Sequence, residues 1–316
     1  MKKSLRNYIR LLRPRQWIKN LAIFASITFT GQLFNEIALP KVIFGFVVFC
    51  GISSAIYVIN DIFDIKKDRL HPFKRFRPLA NGDIPIQIGI LIAVGLTFLS
   101  VLWSYFIDPA FFLITLIYLF LQLSYSMILK NIAVIDILAL AGGYILRVYA
   151  GEIMSGYHIS VWLLLTTISL SLFLAIGKRR NELTLISQYT SAQIAATRKS
   201  LSHYSERLLD VYASIFATST FISYALFAFF ENSRNTSSFT NPLLLPEYLP
   251  DYLSDRKWLM VTIIPVVYGL MRYLQDIYEK HEGESPEKVL LSDKPLLSTV
   301  IIWVLLVLFI IYFIGV

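Results

Sequence analysis

The chain has 316 residues, of which 56% are hydrophobic and 16% charged, with a mean hydropathy of +0.62. That is too apolar for a water-soluble domain and indicates a polytopic membrane protein. The single cysteine, Cys50, sits in an apolar run and excludes both a disulfide framework and a cysteine-rich metal site.

Residues Met1 to Lys19 carry seven basic residues and no acid, ending in RPRQWIKN, and lack the short apolar core and cleavage site of a signal peptide. Leu11, Leu12, Trp17 and Ile18 give this stretch an apolar side suited to an interfacial helix. Nine apolar segments of spanning length follow. They run from Leu21 to Phe34, Val42 to Ile59, Ile86 to Ile107, Phe111 to Leu129, Val134 to Met154, Val161 to Ile176, Leu209 to Phe230, Trp258 to Leu274 and Leu296 to Val316. The expected fold is all-α: a membrane bundle of about nine transmembrane helices forming one domain over residues 1–316. Polar loops after the second and sixth segments hint at two halves related by a weak repeat.

The net charge of +8 does not point to nucleic acid, because its distribution follows the loops. Twenty-four of the twenty-nine Lys and Arg fall on one side of the nine-span arrangement. By the positive-inside tendency that side is cytoplasmic, which places the N-terminus inside the cell membrane and the C-terminus outside. The bilayer is therefore one partner, nucleic acid is not, and association into a homo-oligomer is left open.

The stretch Asn60 to Asp83, NDIFDIKKDRLHPFKRFRPLANGD, holds four acids and six Lys or Arg. Asn60, Asp64 and Asp68 are spaced i, i+4, i+8, with Asp61 beside them, so a helix continuing through Asp68 lines these groups on one face. Carboxylate and amide oxygens suit Mg²⁺, which is commonly shared with substrate phosphates. Arg69, His71, Lys74, Arg75 and Arg77 then supply donors for phosphate oxygens. Acids for a metal followed by bases for phosphate indicate a metal-bridged diphosphate; the plain alternative is a solvated loop between helices.

Further on, YSMILKNIAVID presents Tyr125, Lys130 and Asp136. A Lys at a helix end is commonly an interface anchor. Asp136 and Arg147 lie inside an apolar run eleven residues apart, about three turns, so they share a helix face and need partners. A structural ion pair or a polar site would both account for them. After the sixth segment, KRRNEL places Lys178, Arg179, Arg180 and Glu182 at the same mouth, where a second acidic motif for one diphosphate is missing. The loop from Gln275 to Asp293 is acidic, then polar, and either covers the site or simply connects. His158, His203 and His281 have no metal-site spacing, and no nucleophilic Ser or Cys motif or phosphate-binding Gly-rich loop is present.

The pattern NDxxDxxxD at the end of the second of nine helices resembles the UbiA superfamily of intramembrane prenyltransferases. With RPRQWIKN, HPFKRFRPLANG, YSMILKN, GYILRVYAG, KRRNEL and GESPEKVLLSDKPL, the chain resembles that superfamily's decaprenyl-phosphate phosphoribosyltransferase branch from Arg13 to Leu296. The resemblance implies transfer of a 5-phosphoribosyl group from phosphoribosyl diphosphate to a polyprenyl phosphate, with Asn60, Asp61, Asp64 and Asp68 holding Mg²⁺. It also implies that RPRQWIKN, with Lys19, faces the active site. Lys74, Arg75, Arg77, Lys130 and Lys178 to Arg180 become candidates for the donor 5-phosphate and the lipid phosphate, with Arg69, His71, Tyr125, Asp136 and Arg147 as further substrate-binding candidates. The rival expectations are a prenyltransferase with an aromatic acceptor and a non-catalytic lipid transporter.

Overall fold

A segment that leaves water has no solvent to satisfy its backbone, so it must close its own hydrogen bonds, and helices do so. The computed structural model describes residues 2–70, 74–186, 199–230, 257–280 and 286–314, and these are helical with no strand among them. α1 (Lys2–Leu12) leads into a 3-10 segment (Pro14–Phe24) and the short α2 (Ala25–Phe29). Then come α3 (Ala38–Leu70), α4 (Ile86–Ile107), α5 (Pro109–Met127), α6 (Ile135–Ser155), α7 (Val161–Ile186) and α8 (Glu206–Phe230). A 3-10 turn (Trp258–Thr262) opens α9 (Ile263–Gln275), and α10 (Pro286–Ser292) precedes α11 (Lys294–Phe309).

Among the described residues eight helical runs are long and apolar enough to cross a bilayer, one fewer than the nine expected. The difference lies in the first segment, Leu21 to Phe34, which forms no continuous α-helix. It nevertheless traverses the bundle. Arg13, just before Pro14, pairs with Asp61 near the C-terminal end of α3, whereas the Leu33 N–H donates to the Tyr312 hydroxyl (2.8 Å) beside the start of α3. A 3-10 helix rises about 2.0 Å per residue against about 1.5 Å for an α-helix. Residues 14–29 thus cover about 30 Å, the thickness of the hydrocarbon core. Stretching the helix lets a short sequence do the work of a longer one.

α3 is the central helix. In its most apolar window 61% of the residues are buried, against 17% for α4 and 22% for α11, whose Leu91, Phe98, Phe106, Ile302 and Leu305 face outward. Ile23, Ile27, Val42, Phe49, Phe111, Tyr118 and Met154 pack the 3-10 segment, α3, α5 and α6 together. Leu11, Val58, Ile65, Leu79 and Ile84 clamp α1 and the loop before α4 onto the far end of α3. A second core built on Phe173, Ile176, Leu209, Tyr273 and Leu296 joins α7, α8, α9 and α11.

Two helices run past their apolar segments. α3 continues through Leu70, as the acidic spacing required. α7 reaches Ile186, so KRRNEL is helical and not a loop as the segment ending at Ile176 implied. Polar groups within the helix sustain the extra turns: Arg179 pairs with Glu182 at i+3 (2.5 Å), and Arg180 bonds the Thr184 hydroxyl at i+4.

The 3-10 segment lies hard against α6 at Gly151, where a Cβ would land on the Ile23 carbonyl oxygen. Gly151→Ala is therefore expected to cost about 1–3 kcal/mol through overpacking. Gly95→Ala, in the interior of α4 with open space around it, should be neutral or stabilising. Thermal unfolding of both variants in one detergent checks the contrast.

Candidate active site

At roughly 100° per residue, Asn60, Asp64, Asp68 and Asp61 fall within about a 100° arc of α3. The three carboxylates meet three bases delivered from different parts of the chain. Asp61 accepts from Arg13 Nη2 (2.5 Å) and Arg77 Nη1 (3.0 Å). The same Arg77 nitrogen lies 2.6 Å from Asp68, so one cation bridges two carboxylates seven residues apart. Lys130 Nζ sits 2.9 Å from both oxygens of Asp64. Asp61, Asp68 and Lys130 are buried, so Lys130 is no interface anchor; it turns inward from a 3-10 turn (Leu129–Asn131) after α5.

Arg13 occupies the left-handed region (φ 51°, ψ 57°), uncommon for a residue with a Cβ and doubly so before proline. Such a conformation persists where surroundings enforce it; here the Asp61 bond and the Tyr57 ring 5.2 Å from its guanidinium do so. Burial acts to lower the pKa of Arg13, but Asp61 together with Tyr57 and Asp68 holds the group above its ordinary value.

A second cluster lies deeper. Gln16 donates to Glu287 (2.5 Å) and accepts from Lys19 (2.7 Å) and the Tyr57 hydroxyl (3.0 Å), while Lys19 pairs with Glu287 (3.1 Å). The loop containing Gln275 to Asp293 thus reaches the site through α10, although residues 281–285 lie outside the described set.

Asp136 and Arg147 share a face of α6 but have separate partners. Asp136 meets Arg179 Nε (2.6 Å) and accepts from the Tyr204 (2.7 Å) and Ser200 (3.2 Å) hydroxyls. Arg179 is fully buried and also donates to the Tyr125 hydroxyl (2.8 Å). Burial first, then the bond to Asp136, pushes the Tyr204 phenol well above its usual range. Arg147 bonds only neutral acceptors: Asn20 Oδ1 (2.7 Å), the Gly143 carbonyl (2.6 Å) and the Tyr118 hydroxyl (2.6 Å).

The remaining candidates spread outward. Lys74 and Lys178 are half-buried, Arg69 donates to the Ala80 carbonyl (3.1 Å), and exposed Arg75 stacks on Phe76 at 4.8 Å. Arg180 is engaged by Asp210 (2.9 Å) and Glu206 (3.0 Å), away from the acids of α3. His71 lies outside the described residues. Glu152 pairs with His158 (2.7 Å) at the opposite end of α6 and belongs to no site. The sequence reading named the RPRQWIKN and GESPEKVLLSDKPL stretches but not Arg13, Gln16, Asn20 or Glu287 within them, and it missed Tyr57 and Tyr204. Of the last two, Tyr57 carried a signal, standing one turn before Asp61 on the face of the acids.

Among the described residues no three acidic, His or Cys side chains converge into a ready metal cage. Asp61 and Asp68 do converge, on Arg77. An oxygen-only donor set with one or two carboxylates fits Mg²⁺ shared with phosphates, because that ion retains water and takes few protein ligands.

A multi-pass, all-helical membrane protein with this acidic row at one end of its central helix matches known proteins along its length. The sequence profile of the UbiA prenyltransferase family covers residues 21–239, and the chain belongs to that family. It is 34% identical to decaprenyl-phosphate phosphoribosyltransferase of Corynebacterium glutamicum over 308 residues, 96% of this chain and 86% of that protein. The enzyme of the same name from Mycolicibacterium smegmatis is 36% identical over 301 residues, 94% of this chain and 89% of that one. A UbiA homolog from Archaeoglobus fulgidus, solved with GPP and Mg²⁺, shares the fold at a TM-score of 0.69 and 20% identity, over 95% of this chain and 98% of its own.

Breaking a buried ion pair by removing one partner costs about 3–5 kcal/mol, whereas replacing both with apolar groups costs much less. Arg179→Met alone should therefore sharply lower the detergent melting temperature. Adding Asp136→Leu should restore part of the loss, as measured by thermal unfolding across the double-mutant cycle.

Proposed function

We propose that this protein transfers the 5-phosphoribosyl group of phosphoribosyl diphosphate to a polyprenyl phosphate, releasing diphosphate. The observation that carries the reading is the match, over 86% and 89% of their lengths, to two enzymes named decaprenyl-phosphate phosphoribosyltransferase. It is supported by the acids of α3 standing opposite Arg13, Arg77 and Lys130. In the reaction, an oxygen of the lipid phosphate forms a bond to ribose C1 while the bond from C1 to the diphosphate oxygen breaks. The acceptor is already an anion, so no general base is required.

Held by Asp61, Asp64 and Asp68, with Asn60 alongside, Mg²⁺ would neutralise the leaving diphosphate. The side chains do the rest. Arg77 and Lys130, now matched to carboxylates, exchange those partners for phosphate oxygens, which accept from guanidinium and ammonium groups equally well. Lys74, Lys178 and Arg75 line the approach from the same end of the bundle. Alignment of the lipid phosphate with C1 and stabilisation of positive charge developing on the sugar supply the acceleration. We place this end, with the N-terminus, on the cytoplasmic face, because it gathers most of the basic residues. The lipid tail enters sideways between helices, and the whole chain acts as one transferase domain.

Purified protein in bilayers, given labelled phosphoribosyl diphosphate and polyprenyl phosphate, should form a labelled lipid with Mg²⁺ and lose that activity with a chelator. Asp64→Asn and Asp68→Asn should each reduce turnover by at least about 100-fold. No labelled lipid, together with consumption of a polyprenyl diphosphate and an aromatic acid, would overturn the assignment.

A further inference from the structure

Arg147 is 4% exposed, yet among the described residues no carboxylate pairs with it. Its place on α6, twelve residues beyond Ile135, puts it about 18 Å into the bundle. Charges at that depth normally find an opposite charge or line a polar cavity. The neutral bonds to Asn20, Gly143 and Tyr118 use three of five guanidinium N–H groups, and the charge itself stays uncompensated. Lys19 is next in sequence to Asn20, the residue that accepts from Arg147 Nε. Tyr144 connects the two cations: its ring lies 5.6 Å from the Arg147 guanidinium, and its hydroxyl is within electrostatic reach of Lys19, Arg147 and Glu287.

Among the described residues, Lys19 and Arg147 thus stand around Tyr144 with one acid, Glu287, an excess of one positive charge in this polar chamber. A second feature of the chamber points to an occupant. The Tyr273 hydroxyl is buried without a hydrogen-bond partner among the described residues, within electrostatic reach of Tyr144 and Glu287. Such a group costs stability until a ligand or water satisfies it. The chamber also joins the acidic row directly, for Tyr57 bonds Gln16 beside Lys19 and carries the Arg13 guanidinium on its ring, one turn before Asp61.

We propose that Arg147 and Lys19 form the subsite for the donor's 5-phosphate, with Tyr273 and Glu287 meeting the ribose hydroxyls. This rests on phosphoribosyl diphosphate being the donor. The molecule then lies lengthwise in the bundle, its diphosphate at the acids of α3 and its monophosphate deeper inside. The deep cation selects the donor: a prenyl diphosphate would set hydrocarbon against an uncompensated guanidinium, whereas a sugar phosphate supplies the missing anion.

The test measures ribose 5-phosphate and inorganic diphosphate as separate inhibitors of the Mg²⁺-loaded enzyme. Lys19→Gln and Arg147→Lys should raise the KM for phosphoribosyl diphosphate and the inhibition constant for ribose 5-phosphate by about 10- to 100-fold, the range expected for charge-assisted phosphate bonds. The inhibition constant for diphosphate should stay within about twofold. If Arg147→Lys fails to fold, Lys19→Gln and Tyr273→Phe still decide, the latter weakening ribose 5-phosphate alone. Unchanged ribose 5-phosphate inhibition in folded variants, or equal loss for both inhibitors, would overturn the subsite while leaving the transferase reading intact. A wild-type enzyme that does not use phosphoribosyl diphosphate at all would overturn both.

Discussion

Inside an apolar bundle a carboxylate is tolerated only when an opposite charge stands beside it, and the end of α3 is organised by that requirement. Three acids on one face draw in three bases that the chain delivers from three places. Arg13 comes from the break between α1 and the 3-10 segment, Arg77 from the loop before α4, and Lys130 from the turn after α5. The pairing closes the near end of the bundle by electrostatics where α1 and the loop offer only a small apolar cluster. It also gathers the three bases at one end of the bundle.

The second half of the bundle solves the same problem with one buried ion pair. Asp136 and Arg179 are both fully buried and face one another, with Tyr125, Tyr204, Ser200 and Glu182 satisfying their remaining edges. This arrangement fastens α6 to α7 and to the turn before α8. The departure from a symmetric pair of acidic motifs, visible in KRRNEL, thus has a structural counterpart: the position is taken by a buried lock, and the asymmetry leaves the chamber between the halves to groups of another kind. There, Lys19, Arg147 and the surrounding phenols make a polar interior.

The 3-10 segment links the two regions. Because it stretches rather than coils, Gln16, Lys19 and Asn20 are distributed down the inside of the bundle, so that after Arg13 has met Asp61 of α3, Gln16 and Lys19 meet Glu287 of α10 and Asn20 meets Arg147 of α6. Its close seat on Gly151 fixes that register. A regular α-helix of the same length would end well short of the far face.

The sequence alone determined what rests on composition and local spacing. Apolar runs of about twenty residues with charges between them require crossing helices, and acids at i, i+4 and i+8 require a common face if the helix continues, as α3 does through Asp68. Only the tertiary structure decided the partners. Asp136 and Arg147 share a face, yet one pairs with Arg179 and the other, among the described residues, with no acid, because each lies against a different neighbour; spacing along one helix carries no information about what the next helix presents. The same holds for Lys130, which the sequence could read as an anchor and the fold turns onto Asp64, and for Glu287, brought to Lys19 across 268 residues of chain. Periodicity is a property of one element, but charge compensation is a property of the packing between elements.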